Sequence, residues 1–391
     1  MSKSGIIGIL TGGGDVPGLN PAIRAVTIRA IREGFQVIGI RRGWAGLIDM
    51  QRNKDADNSE NFIVLTEEMV SRIAHSGGTF LHTSRINPAQ VAKEDVPTHL
   101  AKEYTDDIND LTDEVLKNLD YLKIDYLVPL GGNDTLNFAV TLYKRGVKVI
   151  AIPKTMDNDV PGTDYCIGFS TCVTRTINMA NQIRTSAGSH ERLLVLEVFG
   201  KYTGFTAMLP TLAGAANRCA IPEYVFNIEQ LTKLLIEDRQ KNLSRYSVVL
   251  VSEGASYEGR DQNAESLKYR GIGDEIAAKI KELAPIYNKD KKVNIISQKL
   301  GYFVRSGEPD TLDSIVPMAF GNLALELILK GIAGRLIVVK NGRYENAPIN
   351  IITHSKKIVD VKRFYDTERL RPKYKSFEFQ PLLIMIGDVI Y

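Results

Sequence analysis

Cysteine is scarce in this chain of 391 residues, where Cys166, Cys172 and Cys219 are the whole complement. An odd number without CxxC spacing supports neither a disulfide framework nor a zinc cluster. The chain reads as one from a reducing compartment. An excess of either charge is lacking too, since 49 Lys and Arg face 46 Asp and Glu for a formal net charge of +3. No nucleic-acid footprint covers such a surface as a whole, so any basic function must be local. The start, MSKSGIIGILTGGG, has an apolar run of only six residues before its glycines, too short for a signal segment, and no stretch of about 18 apolar residues follows. We expect a cytoplasmic protein without a membrane span. Low-complexity tracts, short repeats and Pro- or Ser-rich linkers do not stand out.

With 44% hydrophobic and 24% charged residues, the composition is that of a globular chain of about two domains. Short β-type runs (Ile6 to Thr11, Gln36 to Ile40, Tyr126 to Leu130, Val147 to Ile152, Leu193 to Val198, Ser247 to Val251, Leu336 to Lys340) alternate with amphipathic stretches such as Pro21 to Glu33. Several runs are apolar at consecutive positions, as strands covered on both faces require. The pattern predicts an α/β fold with largely parallel sheets. Gly34, Gly146 and Gly331 each follow a helical pattern as C-terminal caps would. Gln51 to Asn61 and Arg239 to Arg245 read as surface loops, and the apolar Pro381 to Ile386 as a core strand, with an oligomer contact as the less favoured alternative. With no linker in sight, two domains would need the chain to cross between them more than once.

Chemistry-bearing residues gather where apolar runs end. GILTGGGDVPGLNPAIRA (Gly8 to Ala25) is a strand, a glycine turn at Gly12 to Gly14, and a helix starting near Asn20 with Pro21 in its first turn. Backbone N–H groups in such a turn can reach phosphate oxygens, with the helix terminus adding partial positive charge. Neither a Walker A loop nor a GxGxxG turn is present. A second glycine pair opens GGTFLHTSR, with Arg85 downstream, and a third, Gly131-Gly132, precedes Asn133 and Asp134. Three such turns predict strand ends converging on one anionic ligand. IPKTMDNDVPGTD then offers Lys154, Thr155, Asp157 and Asp159 after another apolar run. An extended Asp-x-Asp points both carboxylates to one side, where one can act as base or both can share a cation. Phosphoryl transfer needs such a combination of cations and carboxylates.

Taken in order, GGGDVPGLNPAIR, GGTFLHTSR, GGNDT, PKTMDND, GSHERLLVLEVFGKYTG, SEG and LGYFVRSGEPDTLD run through nearly the whole chain. In these segments the sequence resembles the 6-phosphofructokinases. The resemblance implies two similar Rossmann-like domains with the active site in the cleft between them. A phosphoryl-donor domain would take residues 1–168 and about 306–360, and a sugar-phosphate domain 169–305 and about 361–391. It implies phosphoryl transfer to the 1-hydroxyl of fructose 6-phosphate with Mg²⁺. Asp157 matches the base, with Thr155 and Asp159 in support. Gly13 and Arg85 match donor contacts, and Arg85 would also stabilise the group in flight. Phe199, Gly200, Lys201 and Glu253 match sugar positions, and Tyr302 and Arg305 the 6-phosphate contacts. Arg192 matches an arginine supplied by a neighbouring subunit, which implies a homo-oligomer.

The same resemblance bears on the donor. ATP-using members have Asp-Gly after the glycine pair, and the glycine leaves room for a nucleotide. Here Asp134 fills that position and Lys154 follows Pro153, both features of pyrophosphate-using members, and Trp44 resembles the same group. Pyrophosphate is therefore the expected donor, with ATP as the alternative. Asn133 stands where the family has a Mg²⁺-associated carboxylate, so either Asp134 substitutes or the cation arrives on the donor. Ile296 stands where a second neighbour-subunit arginine is usual, and Val304 and Ser306 depart from the usual Gln-Arg-Gly-Gly. Lys299 is a candidate to compensate. These departures leave open another ketose phosphate, such as sedoheptulose 7-phosphate, or a non-catalytic paralogue that binds sugar phosphate.

Overall fold

The computed structural model describes residues 5–260, 271–377 and 389–390. Along the chain, β1 (Ile6–Thr11), α1 (Leu19–Arg32), β2 (Gln36–Ile40) and β3 (Phe62–Leu65) are followed by β4 (Tyr126–Gly131), α2 (Asn133–Lys144) and β5 (Ile150–Pro153). Then come α3 (Phe169–Ser189), β6 (Leu193–Val198), α4 (Phe205–Leu212), β7 (Arg218–Ala220), α5 (Ile228–Lys241), β8 (Ser247–Ser252), α6 (Ile272–Tyr287) and β9 (Ile295–Lys299). The helix α7 (Thr311–Leu329) and the hairpin β10 (Arg335–Lys340) and β11 (Arg343–Pro348) complete the main elements.

Two sheets result. The first has seven strands in the order β11-β10-β5-β4-β1-β2-β3, parallel at its centre, with antiparallel strands at the two edges. The second has four parallel strands in the order β9-β6-β8-β7. β1, β4, β6 and β8 are almost wholly buried, because helices cover both faces of a parallel sheet. Alternation along them sorts the core: Ile7, Ile9, Val128 and Leu130 pack on one side, and Leu10 and Leu127 on the other. The first of these two clusters runs on into the second sheet through Leu194, Leu196 and Val249.

The strand expectations hold, although the Val147 to Ile152 run becomes a strand only at Ile150. Gly34, Gly146 and Gly331 have φ of +89°, +96° and +74°, the left-handed conformation of a C-terminal cap. Arg239 to Lys241 is corrected: these residues are the last of α5, and Arg239 is buried with its guanidinium on Glu191. Pro381 to Ile386 lies outside the described residues. Among the described residues one helix, α7, is long and apolar enough to cross a membrane by length and composition. Half of it is buried in the fold, where Gly321 lets its backbone come up against Ala22 and Ala25 of α1.

Candidate functional site

Between the strand ends of the two sheets lies a cleft of about 350 Å³. From the first sheet it takes the turns after β1 and β4, which flank the point where strand order reverses. The β1 turn is tied on both sides. Gly12 N–H donates to Leu130 O at 2.9 Å, Gly13 N–H to Ser84 O at 2.8 Å, and Thr83 Oγ1 to Gly13 O at 2.7 Å. Gly13 is left-handed at φ +79°, which a side chain would oppose. These bonds draw the 83–85 segment against the turn and bring Arg85 to the cleft wall. The pair Gly77-Gly78 does not line the cleft, contrary to the expected convergence of three glycine turns; a side chain at Gly77 would overlap the backbone of Gly307.

Lys154 leaves β5 almost fully buried and donates from Nζ to Gly14 O at 2.7 Å. Burial, and then the Arg305 charge, hold its amine down to about 8. The two carboxylates follow, but not on an extended segment: Asn158 between them is left-handed at φ +54°. Its side chain fixes that turn by donating to Asp164 O and accepting from Cys166 N–H. The turn still leaves both Asp157 and Asp159 on the cleft. Each keeps a buried Oδ1 without a hydrogen-bond partner among the described residues. Asp157 is held by Thr155 Oγ1, which accepts its N–H at 3.2 Å, and by Thr203 Oγ1, which donates to its carbonyl at 2.8 Å. Burial, then the charges of Asp159 and Glu253, raise its carboxyl to about 7. Asn133 donates its amide to Asp159 Oδ2 at 2.9 Å. Asp134, next on the first turn of α2, lines the cleft with its side chain exposed.

The second sheet supplies the opposite wall. Phe199 and Glu253 directly follow β6 and β8, and Lys201 lies two residues further on. Burial raises the Glu253 carboxyl. Gly200 does not line the cleft; at φ +121° it makes the turn that presents Lys201. Arg305 crosses between the walls, donating from Nε to Asp15 O at 3.1 Å and stacking over Phe199 and Tyr302. Tyr302 itself is exposed outside the cleft. Arg192 is at the opposite end of β6, so this chain does not bring it to its own cleft. Ile296 is half-buried inside β9, Val304 and Trp44 are buried, and Lys299 is committed to Glu197 at 2.7 Å. Lining residues that motif reading did not single out are Val16, Ile86, Asn87, Thr135, Met156 and Tyr202. Val16, Thr135, Met156 and Tyr202 stood inside quoted motifs, whereas Ile86 and Asn87 carried no signal beyond following Arg85.

A cleft with this set of cations and carboxylates at α/β strand ends belongs to the phosphoryl-transfer class. The family model for phosphofructokinase matches residues 6–328. A pyrophosphate–fructose 6-phosphate 1-phosphotransferase of Dictyoglomus thermophilum is 33% identical over 94% of this chain and 98% of its own. An ATP-dependent 6-phosphofructokinase 2 of Clostridium perfringens is also 33% identical, over 90% of this chain and 93% of its own. Among solved structures, a pyrophosphate-dependent phosphofructokinase from Marinobacter aquaeolei superposes with a TM-score of 0.74 at 19% identity, over 98% of this chain and 93% of that one. Phosphofructokinase from Saccharomyces cerevisiae gives 0.70 at 22%, over 96% of this chain, which spans about half (49%) of that longer one. The chain belongs to the phosphofructokinase family and is a phosphofructokinase enzyme.

Proposed function

We propose that this enzyme transfers a phosphoryl group from pyrophosphate to the 1-hydroxyl of fructose 6-phosphate, as a glycolytic step in the cytoplasm. Asp134 carries the donor assignment. Its exposed carboxylate stands on the cleft wall beside Asn133, where it takes up room and repels a longer polyanion. Lys154, buried under the β1 turn, supplies positive charge to the same cleft.

Asp157 acts as the base. Its carboxyl, raised to about 7, is matched to taking the hydroxyl proton near neutrality, and its unpartnered Oδ1 is where that proton goes. Thr155 orients it through the backbone, and Asp159 adds the charge that keeps it basic. Gly13 and the exposed Arg85 meet the donor, and Arg85 neutralises charge on the group in flight. Phe199, Lys201 and Glu253 border the sugar, with Gly200 shaping their loop. Arg305 binds the 6-phosphate, with Tyr302 stacked behind it. Arg192 serves the cleft of a neighbouring subunit in a homo-oligomer. Residues 1–168 with about 306–360 form the donor side, and 169–305 with about 361–391 the sugar side.

The cleft fits Mg²⁺ of the kind that keeps its waters and rides on substrate phosphates. Asp159 Oδ1 has no hydrogen-bond partner among the described residues, and Asn133 and Asp134 line the same cleft. Those residues would hold the ion, which supplies neutralisation of phosphate charge when bound.

Turnover of fructose 6-phosphate, with sedoheptulose 7-phosphate in parallel, measured with pyrophosphate and with ATP tests the reading. Faster reaction with ATP would sink the donor assignment, as the 33% identical Clostridium perfringens relative keeps that alternative in view. Asp134→Gly should move selectivity toward ATP by about tenfold or more, the scale of one lost repulsive contact.

A further inference from the structure

A second cavity, of about 930 Å³, meets the cleft at Asn133, Asp159 and Tyr202, which line both. Arg85, Asp157 and Arg305 line the cleft alone. The whole of residues 352–358 supplies wall to this second space. Ile352 anchors the segment in the core beside the first sheet, and Lys356 and Lys357 pair in antiparallel fashion with residues 389–390. Successive side chains of an extended pair point to opposite faces, so Lys356 is exposed while Lys357 is only 4% exposed.

The Lys357 ammonium is short of acceptors. It carries three N–H donors, and its contacts are one long hydrogen bond, 3.3 Å to Asp164 O, and the Phe205 ring at 5.4 Å. The carboxylates whose charge it feels, Asp164 and Asp159, are each held by another donor. Asp164 Oδ2 accepts Asn341 N–H at 2.7 Å, and Asp159 Oδ2 accepts the Asn133 amide at 2.9 Å. A buried ammonium so weakly compensated is costly, and burial lowers its pKa. The rest of the wall matches it in sign. Lys356, the exposed His354 and the exposed Asn137, one helical turn after Asn133, face a single carboxylate among the lining residues, Asp159.

We propose that this cavity is a second anion site, built on Lys357 and Lys356, that binds orthophosphate while the transfer cleft is full. The inference goes beyond the donor assignment, because the lysine pair is the same whichever donor is used. A phosphate oxygen supplies the buried ammonium with the acceptor it lacks, and Lys356 adds charge from the solvent side. Since Asn133, Asp159 and Tyr202 are common to both spaces, phosphate held there adjoins the transfer site without displacing either substrate.

Equilibrium dialysis of radiolabelled orthophosphate tests this on the full-length protein with Mg²⁺, the cleft being filled by fructose 6-phosphate and methylene diphosphonate, a diphosphate that cannot be cleaved. Wild type should retain one phosphate per chain. Lys357→Met, which keeps an unbranched side chain in the buried space but removes its charge, should bind phosphate at least about tenfold more weakly, the worth of one charge-assisted contact. Lys356→Glu reverses a charge on the exposed side, should weaken binding at least as much, and decides the matter if the methionine variant folds poorly. Both variants should bind diphosphonate within about threefold of wild type. No phosphate retained by wild type with the cleft full overturns the proposal, as does retention that the lysine variants leave unchanged. An equal loss of diphosphonate affinity also overturns it, because the lysines would then serve the donor. Failure of the pyrophosphate reading shows separately, as faster turnover with ATP. A non-hydrolysable ATP analogue then fills the cleft in the same dialysis, and retention that the lysine variants lose still upholds the anion site.

Discussion

Asp157 gathers the main electrostatic costs of the cleft in one side chain. Its carboxyl moves from 3.8 to about 7 because burial and two acidic neighbours disfavour the charge. The folded state therefore binds this proton more tightly than the unfolded chain does. Its contribution to stability falls as pH rises from 3.8 to about 7, and the full penalty is present above that. Activity runs the other way: kcat/KM should rise with slope one as pH climbs toward about 7 and then level off, measured with the donor saturating. Asp157→Asn should lower kcat by about a hundredfold to ten-thousandfold, typical of a lost base. At pH 8 the same variant should be as stable as wild type or more so in urea unfolding, since it removes a buried charge. A loss of stability alongside activity would mark Asp157 as structural.

At the scale of elements, glycine turns and buried pins do the positioning. A Cβ on Gly14 would overlap the Arg305 guanidinium, the movable end of a long side chain, so Gly14→Ala should displace Arg305 rather than unfold the turn. KM for the sugar phosphate should rise about tenfold to a hundredfold, the worth of a charge-assisted contact, with far-ultraviolet circular dichroism unchanged. Asp313 is the opposite case. Its buried carboxylate accepts from Tyr165 Oη, Gly168 N, Thr171 N and Thr171 Oγ1 at 2.6 to 2.8 Å, fastening α7 to the start of α3. Asp313→Ala strands four donors and should cost about 4 kcal/mol or more, read as a lower urea midpoint.

For the whole molecule, subunit exchange and cooperativity are the testable properties. Arg192 lies at the end of β6 away from the cleft that Asp157 lines, so the proposed sharing requires a neighbour. Mixing inactive Arg192→Ala and Asp157→Asn proteins after reversible dissociation should restore activity in hybrid oligomers; no restoration would place Arg192 outside the shared site. One core cluster runs through both sheets, which predicts that they unfold together. Trp44, the single tryptophan, is buried against Phe138 with ring centroids 4.9 Å apart. Its fluorescence should therefore change at the same urea concentration as the circular dichroism, and separated midpoints would show independent lobes.

Strand positions, helix caps and the β1 and β4 turns could be read from residues alone, because apolar periodicity and glycine conformation are local properties. So could the chemical set of Lys154, Asp157 and Asp159, since polar crowding at a strand end is visible in order along the chain. Tertiary contacts decided the rest. They set Gly77 against Gly307 instead of a ligand, turned the Asp-x-Asp through a left-handed Asn158, and spent Lys299 on Glu197. They also joined Asn133 to Asp159 across 26 positions. Each of these is a contact between separate segments or, at Asn158, a backbone angle held by side-chain bonds to Asp164 and Cys166. Local composition carries no record of such partners, and only the folded chain brings them within hydrogen-bonding distance.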